Sequence, residues 1–192
     1  MSTSRLEQEL LEHIRVMDSV KLLLNDVDHI AKVCSQALEN GNKIFFCGNG
    51  GSASDSQHLA TELIGRFKNN RRPLAAISLT SDTTAISCIA NDFGYEYIFS
   101  RQLEGLAKKG DILFAISTSG NSANVINCVK KSKEIGVKSL GLLGGTGGEL
   151  AAHCDMSLIV SSTKETARIQ EAHIFIGQVI CRVIETNLGI EG

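Results

Sequence analysis

An α/β fold with a five-stranded parallel sheet flanked by helices is the architecture these 192 residues predict, and three observations carry it. Five short apolar runs alternate with helical stretches. The runs are almost continuously apolar, as strands buried on both faces must be. Two of them lead straight into glycine-rich or hydroxyl-rich turns that open a helix. Taken in order, Leu6, Leu10, Ile14, Met17, Leu22, Val27, Ile30, Val33, Cys34 and Leu38 recur every three to four residues, so the N-terminal region to about residue 40 reads as helical, and Gly41 ends it. Strands are expected at Ile44 to Cys47, Ala75 to Leu79, Asp111 to Ile116, Ser139 to Leu143 and Met156 to Val160. Helices are expected at Ser54 to Phe67, Asp82 to Asn91, Tyr97 to Ala107, Ala123 to Ile135 and Glu149 to Cys154. A last helix, Thr166 to Asn187, is apolar around most of its circumference and therefore asks for burial on more than one side, between subunits together with the N-terminal helix. No linker, repeat or low-complexity tract divides the chain, so a single domain over 1–192 is expected.

The formal net charge of −2 and pI near 6.2 lack the basic excess that drives phosphate-backbone binding, which argues against nucleic acid as a partner. No apolar run approaches the roughly 20 residues that cross a bilayer, and the polar, acidic start is unlike a secretion leader. A cytoplasmic location is expected. The cysteines at 34, 47, 88, 128, 154 and 181 are scattered among apolar neighbours without a Cys-x-x-Cys pair, and read as reduced, buried filler.

The first chemical motif is Lys43-Ile-Phe-Phe-Cys-Gly-Asn-Gly-Gly-Ser-Ala-Ser-Asp-Ser-Gln-His-Leu-Ala-Thr-Glu62. A strand feeding Asn49, Gly50, Gly51 and Ser52 brings backbone close to a ligand, because glycine adopts positive φ and has no side chain in the way. His58 and Glu62, four residues apart, share one helical face and reach a common metal ion or substrate carbon. The plainer alternative is an ordinary helix capped by Ser52 or Ser54, with His58 and Glu62 bonded to neighbours. The second motif, Ser117-Thr-Ser-Gly-Asn-Ser122, precedes a helix starting near Ala123. Its hydroxyls and the free amides of the helix N-terminus suit a phosphate dianion, whereas the plainer alternative makes Ser122 a simple N-cap. Two such turns at the carboxyl ends of strands favour a small anionic ligand in the crevice there.

The segments CGNGGSASDSQHLATELIGRF, ISCIANDFGYEYIFSRQ, ISTSGNSANV and TARIQEAH together resemble the phosphoheptose (sedoheptulose 7-phosphate) isomerases of the sugar-isomerase (SIS) domain superfamily, over essentially the whole chain. The resemblance implies a flavodoxin-like three-layer sandwich, a homotetramer with active sites shared between subunits, and conversion of D-sedoheptulose 7-phosphate to D-glycero-D-manno-heptose 7-phosphate, the entry to heptose for lipopolysaccharide and other surface glycans. It implies that Ser117, Thr118, Ser119 and Ser122 hold the phosphate, and that Asn49, Gly50, Gly51, Asn91 and Asp92 line the sugar site. It also implies that His58, Glu62 and Gln170 bind one zinc ion per subunit, Glu62 doubling as acid/base, and that Arg66 touches substrate phosphate or a neighbouring subunit.

One position departs from the family pattern, which places a second histidine, a zinc ligand and partner acid/base, eight residues after Gln170. Here that residue is Gln178. Glutamine moves no proton near neutral pH and is a weaker zinc ligand than imidazole. A variant using water or another residue, an inactive member and a deliberate His-to-Gln change are the three open explanations. A different class, a non-catalytic SIS-domain protein resembling the DnaA initiator-associating proteins, would need neither metal nor turnover. His173, on the apolar stripe of Ile169, Ile176 and Ile180, reads as a core histidine. Lys68, Arg71 and Arg72 read as a solvated basic loop beside Arg66, and Arg168 and Glu171 as residues flanking Gln170 that pair with charge.

Overall fold

Strand residues alternate between two apolar layers, and that alternation builds the molecule. In the computed structural model, which describes residues 3–190, the parallel strands β1 (Ile44–Gly48), β2 (Ala76–Ser78), β3 (Ile112–Ser117), β4 (Lys138–Gly144) and β5 (Met156–Val160) form one sheet in the order β2-β1-β3-β4-β5. The extreme ends of the single domain expected over 1–192 lie outside the described residues.

Ile44, Phe46, Ile112, Phe114, Ile116, Leu140, Leu142, Leu158 and Val160 point to one face. There they meet α2 (Leu24–Glu39), α3 (Gly51–Ile64) and α8 (Thr166–Asn187), and the Phe46 and Phe114 rings stack with centroids 5.3 Å apart. Phe45, Cys47, Leu113, Ala115 and Leu143 point to the other. That layer is closed by α4 (Thr83–Phe93), α5 (Ser100–Leu106), α6 (Ala123–Glu134) and α7 (Gly148–His153). All five expected strands are present, each with a boundary shift of at most two residues. The expected N-terminal helical region is α1 (Thr3–Ser19) and α2 separated by a 3-10 turn at Val20–Leu23.

The inner face of α8 is buried by its own chain rather than waiting for a partner: Ile169, Ala172, Ile176, Ile180, Cys181 and Ile184 all lie in the core. Exposed apolar side chains remain on α1, at Leu6, Leu10, Leu11 and Ile14, and on α8 at Phe175. His173 is a core residue, as expected. Its ring Nε2–H donates to the Leu143 carbonyl at 3.0 Å, and burial depresses its pKa to about 4, so it stays neutral. All six cysteines are free, and Cys34, Cys47, Cys128 and Cys181 are buried. Among the described residues no helix is long and apolar enough to cross a membrane.

The sheet's order reverses direction between β1 and β3, and the loops after those two adjacent strands therefore face one crevice. Asp111 sets their relative level. Its buried carboxylate accepts from the Lys43 and Lys108 amides, the Asn42 side chain and the Lys43 ammonium, fixing Ile44 opposite Ile112. Burial pushes its pKa up, but those donors outweigh it and leave the group below the ordinary value.

Candidate functional site

Both helices that open onto the crevice start without a side-chain cap. α3 follows Gly50, held at φ +56, and neither Ser52 nor Ser54 caps it, so the ordinary-helix alternative fails at this end. α6 follows Ser122, whose hydroxyl also caps nothing and lies 3.4 Å from the Ser117 hydroxyl. By contrast α4 has a regular cap, the Asp82 carboxylate accepting from the Ala85 amide at 2.9 Å. The Ser52, Ala53 and Ser54 amides donate to the Asn49 and Gly50 carbonyls and the Val125 amide to Asn124 Oδ1, so it is the very first amides of each helix, with the positive end of its dipole, that remain to face an anion.

The hydroxyl loop is pre-shaped by itself. The Gly120 amide donates to the Ser117 hydroxyl at 3.1 Å and the Asn121 amide to the Ser119 hydroxyl at 3.2 Å. A second glycine-rich turn, after β4, supports it from beneath: a Cβ at Gly120 would fall 2.0 Å from the Gly147 carbonyl oxygen, and one at Gly144 would fall 2.5 Å from that of Thr118. Sequence reasoning passed over this turn, although its Gly-Gly-Thr-Gly-Gly run is legible as a place of close backbone approach.

The two loops are joined directly. The Asn49 and Asn124 side-chain amides pair reciprocally, at 2.8 and 2.9 Å, and the Tyr95 hydroxyl donates to Asn49 Oδ1 at 3.2 Å. Asn124 and Tyr95 were not anticipated. Nothing in their sequence neighbourhood distinguishes them from a first-turn helix residue and a loop aromatic.

The third component is the seam between α3 and α8. A Cβ at Gly51 would fall 2.3 Å from the Gln170 amide nitrogen, and one at Gly177 would fall 2.6 Å from Leu59, so glycine on each helix permits the close approach. That approach brings His58 Nε2 to 3.0 Å from Glu62 Oε1 and to 3.5 Å from the Gln178 amide nitrogen. Glu62 is well shielded, with a side chain 18% exposed, while His58 is half open. His58, Glu62 and Gln178 thus meet at one place in the α3–α8 seam, and Gln170 lies in the same seam against Gly51.

The remaining expected residues divide. Ser52 is a correction: it is 3% exposed, its side chain packs beneath Gly48 and its amide donates to the Asn49 carbonyl, so it closes the turn and offers nothing to a ligand. Asn91 and Asp92 are exposed on α4, bonded to each other at 2.7 Å and linked to the crevice through nearby Tyr95. Arg66 is exposed beyond the end of α3, its guanidinium donating to the Lys68 carbonyl. Arg71 is no solvated loop residue. It is buried against Glu185 and donates to the terminal carbonyls of α3, a role the charge run around it concealed.

The seam is tested for a metal by its donors. Among the described residues no three His, Cys, Asp or Glu side chains converge closely enough to hold an ion by themselves. An imidazole and a carboxylate from α3 with two amide oxygens from α8 nonetheless make a feasible mixed donor set, weaker for zinc than one with a second imidazole. A half-buried carboxylate nearby also has one oxygen without a partner. Asp55, one turn before His58, has a buried Oδ2 without a hydrogen bond, and burial raises its pKa from 3.8 to about 6, partly offset by His58. A cation in the seam suits that surplus, and the residues fit one.

Asp55 also predicts a pH-dependent stability. A carboxylate with a raised folded-state pKa binds its proton more tightly when folded, so it costs stability as pH rises from about 4 to about 6, and the cost persists above. After discounting for its partial exposure, Asp55→Asn is expected to stabilise the chelator-treated protein by on the order of 1 kcal/mol at pH 8 and by nothing at pH 4. Urea unfolding at both pH values checks this, and an equal gain at both would refute it.

The comparisons with known proteins agree with this geometry. The family model described as "SIS domain" matches residues 11–144. The chain is 49% identical over 183 residues to the phosphoheptose isomerase of Nitratiruptor sp., covering 95% of this chain and 97% of that one. It is 46% identical to that of Campylobacter concisus, covering 96% and 97%. The solved phosphoheptose isomerase GmhA of Neisseria gonorrhoeae superposes with a TM-score of 0.90 at 41% identity over 95% of this chain and 98% of that one. For the phosphoheptose isomerase from Francisella tularensis the TM-score is 0.92 at 32% identity, over 97% and 100%. With its uncapped α3 and α6, its paired loops and its polar α3–α8 seam, this chain belongs to the phosphoheptose isomerase family of SIS-domain proteins.

Proposed function

We propose that the chain isomerises D-sedoheptulose 7-phosphate to D-glycero-D-manno-heptose 7-phosphate. One observation carries the reading: the direct pairing of Asn49 with Asn124 sets the hydroxyl loop beside the glycine turn from which α3 carries His58 and Glu62. In this reading the phosphate sits on Ser117, Thr118, Ser119 and Ser122 and the first amides of α6, and the sugar chain runs along Asn49, Gly50 and Gly51 toward the seam. Asn91 and Asp92 complete the sugar site, and Arg66 faces the phosphate or a second subunit.

Glu62 takes a proton from C1, which leaves an enediolate across C1 and C2, and returns that proton to C2 while the O1 hydroxyl proton passes to O2. No oxidant or reductant enters. His58, 3.0 Å away, orients the Glu62 carboxylate. The shielding of Glu62 from bulk water keeps the abstracted proton from exchanging freely. A zinc ion held by His58, Glu62, Gln170 and Gln178 would, when bound, offset negative charge developing on the sugar oxygens.

A homotetramer is part of the proposal, supported by the exposed apolar face of α1 and by α4, which has no buried residue in the single chain although it carries Asn91 and Asp92. A cytoplasmic location and supply of heptose for surface glycans accompany it. The second reading, a non-catalytic binding module, is favoured by Gln178 alone. Incubating the purified chain with sedoheptulose 7-phosphate and zinc, and following the aldose anomeric proton by NMR, is expected to show slow but zinc-dependent conversion. Neither turnover nor bound metal, in this chain or in Gln178→His, would leave the binding-module reading standing.

A further inference from the structure

We propose that Tyr95 and Asn124 are positioning residues which clamp the glycine turn to the hydroxyl loop through Asn49, and that this clamp sets the length of sugar phosphate the crevice accepts. The inference rests on the isomerase reading above and deepens it.

The bonding of the clamp leaves little freedom. Asn124 is 2% exposed, and its Oδ1 accepts from the Val125 amide at 3.0 Å, which fixes the orientation of its side chain. Its Nδ2 then donates to Asn49 Oδ1 while its Oδ1 accepts from Asn49 Nδ2. Tyr95 adds a second donor to Asn49 Oδ1. Of the four hydrogen-bonding capacities of the Asn49 side chain, two acceptor positions and one N–H are thus occupied within the protein. One N–H remains, aimed by three bonds to two residues. The 3-10 turn carrying Tyr95 is itself held, since Asn127 of α6 donates to the Glu96 carbonyl at 3.1 Å.

The clamp therefore ties the phosphate loop, the sugar turn and the Asn91/Asp92 segment together as one rigid unit. The proton-shuttling Glu62 stands on α3 at a fixed three turns from Gly51. With the anion held at one end and the carboxylate at the other, a ketose of the right length places its C1 at Glu62 and a shorter one falls short. A clamp loosened at Asn49 lets the two loops slide and blurs that distinction.

The test is titration calorimetry with sedoheptulose 7-phosphate, a six-carbon and a five-carbon 2-ketose phosphate, and inorganic phosphate, on the unaltered chain, Tyr95→Phe and Asn124→Ser. Tyr95→Phe removes one hydroxyl at a residue 57% exposed, so the fold survives it. Asn124→Ser removes the donor to Asn49 while adding no charge beside the hydroxyl loop. The unaltered chain is expected to prefer the seven-carbon ligand by about tenfold or more, the scale of a site matched to its polar partners. Tyr95→Phe is expected to reduce that preference to about threefold or less while changing phosphate affinity by less than about twofold, as loss of one hydrogen bond outside the cradle dictates, and Asn124→Ser to reduce the preference at least as far. Full preference retained in folded Tyr95→Phe and Asn124→Ser overturns the clamp and leaves the isomerase reading intact. An unaltered chain that binds phosphate but gains nothing from any sugar overturns both. A preference lost together with phosphate affinity shows a general collapse of the crevice and also overturns the clamp.

Discussion

Glu62→Gln is expected to lower turnover by on the order of 10³-fold, and Gln178→His to raise it by about 10²-fold, the scale of positioned proton transfer. The two changes act on one cluster, since His58 Nε2 stands 3.0 Å from the Glu62 carboxylate and 3.5 Å from the Gln178 amide. Glutamine at 62 keeps the size and polarity of the site but accepts no proton from carbon, so binding of substrate should survive while the chemical step fails. Histidine at 178 adds a group that titrates near neutrality and a stronger donor for a divalent ion. Bound zinc per chain, measured by elemental analysis after dialysis, is therefore expected to rise in Gln178→His alongside kcat. No change in either quantity would remove residue 178 from the chemistry. Residual activity of Glu62→Gln within about tenfold of the parent would transfer the proton shuttle to another group.

Arg71→Ala is expected to destabilise the fold by about 3–5 kcal/mol, the cost of stranding a buried charge. Arg71 and Glu185 are 3% and 4% exposed and joined at 2.7 Å, with Phe67 also donating its amide to the Glu185 carboxylate. Arg71 further donates to the carbonyls of Glu62, Leu63 and Gly65, filling the acceptors that the last turn of α3 leaves open. Removing it uncaps α3 at the turn that carries Glu62, so kcat should fall with stability. Glu185→Ala is expected to cost a similar amount, and Arg71→Met with Glu185→Leu to recover most of it, because no lone charge is then buried. Urea unfolding of the four proteins checks this. A loss for Arg71→Ala below about 1 kcal/mol would mark the pair as no better than a surface bridge.

Local chemistry accounts for how much of this was legible beforehand. The strands were readable because a run such as Ile-Phe-Phe-Cys needs burial on both faces whatever surrounds it. His58 and Glu62 were readable as a pair because four residues on one helix fix their separation. The start of α3 differs by three residues because sequence reasoning seeks a serine cap, and this helix begins at Gly51 with no side-chain cap, its Ser52, Ala53 and Ser54 amides donating to the Asn49 and Gly50 carbonyls instead. The 3-10 turn at Val20–Leu23 was hidden because no glycine or proline interrupts the apolar spacing there. It lets α1 cross onto α8, where His13 pairs with Glu171 at 2.8 Å and Arg168 donates to the Glu9 carbonyl.

By itself, the sequence determined the α/β alternation, the two anion-suited turns and the stripe of His58 and Glu62, since each depends on neighbours within a few residues. Only the tertiary structure decided that Asn49 locks to Asn124 across 75 residues, that Arg71 is spent on Glu185 across 114, that Ser52 turns inward and that Asp55 is left with an unpartnered oxygen. A polar side chain has several possible partners in an extended chain. Packing fixes which of them it meets, and at Asp55 it leaves one carboxylate oxygen with none.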